Sequence, residues 1–152
     1  MNPEQIDIVV GTWRDACCHH DRLHRALRDR LPAPRRGSTG DECDEQTARA
    51  GWIIEAVSRL SPVIDRPTRF NAAAGDLIAR RGRVTMSELG ADQDALLGAL
   101  DELLGGLTEE ERRSWALALK LFEETVAATC LDPFGATPSA SGAPGAIDED
   151  QR

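Results

Sequence analysis

The stretch "DALLGALDELLGGLTEEERRSWALALKLFEETVAA", residues 94–128, decides the fold class. Its first half sets Leu96, Leu97, Leu100, Leu103 and Leu104 at the three-and-four spacing of one helical face. Gly105 and Gly106 then interrupt the pattern. Thr108, with Glu111 three residues later, forms a capping-box pattern, and Glu109 and Glu110 suit the positive end of a helix dipole. Beyond it Trp115, Leu119, Phe122, Val126 and Cys130 make a second apolar stripe. This predicts two amphipathic helices joined by a glycine turn, and the two-residue alternation of a strand is missing.

The same period continues toward the N-terminus. Asn2 suits a cap, Pro3 the first helical position and Gln5 the reciprocal bond, and Ile6, Val9, Val10, Trp13 and Cys17 follow as a stripe. Leu23, Ala26, Leu27 and Leu31 form a second stripe, halted by Pro32 and Pro34. Residues 32–43, "PAPRRGSTGDEC", read as a loop. A third helix is predicted over 44–61, carrying Trp52, Ile53, Ala56, Val57 and Leu60 and stopping before Pro62. A fourth is predicted over 67–81, with Phe70, Ala73, Ala74, Leu77 and Ile78 inward and Gly82 as its stop. "RVTMSELGA", residues 83–91, reads as short and irregular, with one helical turn around Ser87, so the fifth helix is expected to start near Asp92. Residues 132–152 lose all periodicity and are rich in Pro, Gly, Ala and Ser, the composition of a disordered tail. The prediction is an all-α fold of about six helices in one domain over 1–131, followed by that tail.

Composition narrows the function classes. The net charge of −8 argues against nonspecific nucleic-acid binding, which rests on basic charge meeting phosphate. No apolar run approaches the ~20 residues of a membrane span. "MNPEQIDIVV" lacks the basic and apolar regions of a signal peptide, so a cytoplasmic location is expected. The four cysteines are then expected as reduced thiols, and the adjacent Cys17 and Cys18 do not look like a staple. Arg22, Arg25, Arg28, Arg30, Arg35 and Arg36 gather in a short span, and the reading favoured for them is a solvated helix face and basic loop rather than a phosphate site.

"ACCHHDRLH", residues 16–24, holds all three histidines. On a continuous helix Cys17, His20 and His24 fall at i, i+3 and i+7 and can share a face, with Asp21 as an added oxygen. A structural zinc site needs four ligands, and Cys43 and Cys130 stand apart. The favoured reading is therefore a half-buried Cys17 beside a helix junction, with Asp21 capping the second helix.

Residues 94–128, together with "IDIVVGTWRDA" (6–16) and "RPTRFNAAAGDLIARRGR" (66–83), resemble bacterial single-domain globins and the globin domain of flavohaemoglobins. The likeness lies in helix order, spacing and two tryptophans. It implies helices packed at steep crossing angles around a central pocket. It also implies a haem whose iron is held by a histidine from a helix just before the last two. The corresponding region, 79–91, has no histidine, and the position falls on an arginine, glycine or alanine. The phenylalanine the family places at the corner after its third helix falls near Glu42 and Cys43, and no phenylalanine precedes Phe70.

Cys43, Met86 and His24 are the remaining formal haem ligands, Cys43 and Met86 being the candidate haem contacts. No phosphate loop or nucleophile–base constellation appears, so the chain is not expected to be an enzyme. The expected function is a haem-free, globin-like regulatory or sensory module that meets a protein partner or a small apolar ligand, as monomer or homodimer. The alternative is a haem globin with displaced ligation that binds oxygen or nitric oxide. A thiol- or metal-based sensor on Cys17, His20 and His24 is a third reading. Outward-facing Leu97 or Leu104 would mark a dimer interface.

Overall fold

A computed structural model describes residues 1–33, 42–82 and 85–131, without the side chains of 42, 43, 130 and 131. The expected tail at 132–152 and most of the expected loop at 32–43 lie outside the described residues. The fold is all-helical: α1 (Pro3–Cys17), α2 (His20–Arg30), α3 (Glu42–Leu60), a 3₁₀ turn (Ser61–Val63), α4 (Pro67–Arg81), α5 (Met86–Leu103) and α6 (Glu109–Leu131). No strand occurs among the described residues.

The helix starts follow local chemistry. Asn2 Oδ1 accepts from the Gln5 backbone N–H at 2.8 Å, and the Asn2 backbone N–H donates to Gln5 Oε1 at 2.9 Å. Thr108 and Glu111 repeat the exchange at 2.7 and 3.2 Å at the start of α6. Pro67 occupies the first turn of α4, and Gly82 ends that helix at φ 81°, a conformation open to glycine. Gly105 and Gly106 turn the chain at φ 76° and 107°. Asp101 organises that turn by accepting from the Leu107 N–H at 2.8 Å and pairing with Arg112.

Two expectations are corrected here. Residues 85–91 are not irregular: α5 begins at Met86, six residues before Asp92, on a second capping box formed by Thr85 and Glu88. The box outweighs the weak apolar pattern of "SELGA", because it supplies partners for backbone donors the first turn leaves open. Nor does Asp21 cap α2: His19 holds the cap position without a side-chain bond, and Asp21 lies in the first turn.

α1 lies along α6, α2 packs between α3 and α5, α4 sits against α3 and α6, and α5 pairs with α6. Gly98 makes room for an α2 side chain: a Cβ there would lie 2.8 Å from Arg30 Nε. Trp13 meets Trp115 edge-on, with ring centroids 6.2 Å apart. Both indoles find partners: Trp115 Nε1 donates to Thr12 Oγ1 at 2.8 Å, and Trp13 Nε1 to Ser58 Oγ at 3.3 Å. The Thr12 hydroxyl in turn donates to the Ile8 carbonyl at 2.8 Å, so a polar thread crosses the α1–α6 contact fully bonded.

Candidate functional site

The middle of the core, between α3, α4, α5 and α6, holds a cavity of about 50 Å³. Trp52, Phe70, Leu96, Trp115 and Phe122 crowd it, and Asp92 forms its polar edge. Trp52 and Phe122 are tilted against each other, with centroids 6.4 Å apart. Two buried polar atoms, Trp52 Nε1 on the cavity lining and Ser114 Oγ beside Trp115 in the chain, have no hydrogen-bond partner among the described residues.

Asp92 is the one buried acidic residue among those described, 3% exposed on the second turn of α5. Arg49 from α3 reaches Oδ1 at 2.6 Å, and Arg81 from the end of α4 reaches Oδ2 at 2.9 Å. The Arg81 guanidinium also lies 4.0 Å over the Trp52 ring, and Arg49 donates to the Glu88 carbonyl at 3.1 Å. Glu88 belongs to the same corner. The Thr85 backbone N–H and hydroxyl hold its carboxyl below the usual value, and the charges of Arg49 and Arg81 add to this. Three helices are thus tied over the cavity by one buried carboxylate shared between two partly buried guanidiniums.

The candidates from the sequence fall elsewhere. The helix breaks at Cys18–His19, so Cys17, the last residue of α1, does not share a continuous helical register with His20 and His24, which lie together on α2. Cys17 is half-buried, as expected of a small apolar residue at a helix end. Its thiol is raised above the usual value, chiefly by burial and against a hydrogen bond with Ser58. His20 is exposed, its ring 6.4 Å from that of His24, and His24 Nε2 lies 3.2 Å from the Thr47 carbonyl. No three His, Cys, Asp or Glu side chains among the described residues converge as a metal site. Met86 is exposed at the first position of α5, and the Cys43 side chain lies outside the described residues. Leu97 and Leu104 are partly buried against the core rather than turned outward.

The cavity does not fit a porphyrin. Pockets that hold cofactor-sized ligands run to ~300–1,000 Å³, against about 50 Å³ here, and the lining carries no imidazole, thiol or thioether. The residue that organises this region, Asp92, was not singled out from the sequence as a site. The available signal was Thr85 three before Glu88, which moves the start of α5 back and carries Asp92 from a helix start to a helix interior.

A second hollow, about 170 Å³ and polar, opens between α2 and the end of α5, edged by Arg22, Arg25, Asp29, Arg30 and Glu102. No helix among the described residues is long and apolar enough to cross a membrane. No protein-family model matches the chain, and no curated protein or solved structure matches it.

Proposed function

We propose that the chain is a haem-free, globin-like module that works through its surface in a regulatory or sensory role rather than as an enzyme. The observation that carries this is the filled interior, where Trp52, Phe70, Trp115 and Phe122 leave about 50 Å³ in the space a prosthetic group would need. What supports the globin-like part is the order of pairings: first helix on last, second helix against third and fifth, and the last two together. The helix before those two is α4, and neither it nor residues 79–91 contain a histidine, all three lying at 19, 20 and 24. An interior with so little free volume leaves the outer face as the place where a partner or signal is met.

The test is direct. The protein is expressed with haem precursor supplied, purified, and its visible spectrum recorded. The expected result is no Soret band. A band in near one-to-one ratio to protein would overturn the haem-free reading in favour of displaced ligation.

A further inference from the structure

We infer that the hollow between α2 and the end of α5 binds the phosphate group of a small phosphate ester, gripped by Arg22 and Arg25. The argument begins with charge. Five charged side chains edge the hollow, and three of them are already satisfied. Arg30 Nη2 pairs with Glu102 Oε2 at 2.6 Å, and Asp29 pairs with Arg28 at 3.0 Å. Arg22 and Arg25, one helical turn apart on α2, have no acidic partner among the described residues. Two unpaired guanidiniums on one lip of a concave site match the charge of a phosphate monoester, and planar guanidinium forks suit its oxygens.

The seat is shaped as well as charged. Gly98 leaves room for the Arg30 side chain to cross α5, since a Cβ there would lie 2.8 Å from Nε. Arg30 also donates to the Ala26 carbonyl at 3.4 Å, so the wall facing the two free arginines is fixed at both ends. Ala26 and Leu103 complete the lining with apolar surface.

Size and net charge then choose the ligand. About 170 Å³ is below the ~300–1,000 Å³ of pockets that enclose a whole drug-sized molecule, so the hollow takes a head group. An extended polyanion would meet a molecule of net charge −8 beyond the rim, which disfavours nucleic acid. This departs from the sequence reading of these arginines as a solvated face, and it is independent of the globin-like proposal.

Glycerol phosphate is titrated into the full chain at constant ionic strength while the Arg Nε–Hε signals are followed by NMR. Sulfate and a glutamate-rich peptide serve as parallel arms. Saturable shifts at Arg22 and Arg25 are expected, with affinity falling at least about tenfold in the double variant Arg22→Gln, Arg25→Gln. Glu102→Gln removes a negative charge from the rim and leaves Arg30 without its acidic partner, so affinity should rise about threefold or more. A purely structural role for these residues gives no such gain. No saturable shift, equal binding by the double variant, weaker binding by Glu102→Gln, or binding of the peptide but not of glycerol phosphate would each overturn the assignment.

Discussion

At the scale of single residues, Asp92 carries the largest consequence. Its carboxylate is almost wholly buried and is shared between Arg49 and Arg81, one oxygen to each. Removing one member of such a cluster leaves uncompensated charge in the interior, so Asp92→Ala is expected to cost about 3–5 kcal/mol in urea denaturation. Thr12→Val should cost about 1–3 kcal/mol by the same measurement, because the methyl strands the Trp115 indole N–H in the core. Glu88 gives a pH signature. Its carboxyl is depressed in the folded protein by bonds from Thr85. Such a group stabilises fully above its unfolded value of about 4.3 and loses that contribution as pH falls through the lower folded value. Glu88→Gln should therefore be less stable than the parent at neutral pH, by under about 1 kcal/mol, with the difference vanishing in acid. None of the Asp92 partnership can be read along the chain, since Arg49 lies 43 residues away and only the fold brings it in. The half-burial of Cys17, by contrast, followed from its place on the α1 stripe.

At the scale of elements, legibility tracked capping chemistry and apolar period together. α1 and α6 carry both, α4 carries the period with Pro67 in its first turn but no side-chain cap, and the expected starts of all three agree with the observed ones. α3 begins at Glu42, two residues before the expected 44. The start of α5 was misplaced because Gly90 and Asp92 dilute its apolar face, while Thr85 and Glu88 supply the same box that marked α6. The box should then matter more to α5 than its sequence pattern suggests. Thr85→Ala is expected to lose about 1 kcal/mol, with amide exchange accelerated first in residues 86–89 and little changed in α6. Because Asp92 lies less than two turns from that cap, the same variant should loosen the grip of α5 on Arg49 and Arg81. At the Cys/His cluster, spacing alone allowed one face, and the favoured reading was a helix junction; α1 ends at Cys17 and α2 starts at His20, which takes Cys17 out of register with His20 and His24.

At the scale of the whole molecule, the all-helical class and the inward residues follow from periodicity, but the content of the centre does not. Which side chains fill it depends on how the helices cross, and contacts between residues far apart in the chain, such as Trp13 with Trp115 and Trp52 with Phe122, are not written in any local period. A filled centre has a measurable corollary. Phe122 is 8% exposed and lines the existing cavity with Trp52 and Trp115. Phe122→Ala joins the vacated space to that cavity, and large-to-small changes of this kind cost about 3–5 kcal/mol. An apolar void of about 150 Å³ stays dry and accepts benzene, and a ligand bound only by the folded state stabilises it by mass action. Benzene should therefore raise the melting temperature of Phe122→Ala while leaving that of the parent chain unchanged, since about 50 Å³ cannot admit it. If the parent responds equally, the interior is open rather than filled, and the case for a module that acts through its surface loses its physical basis.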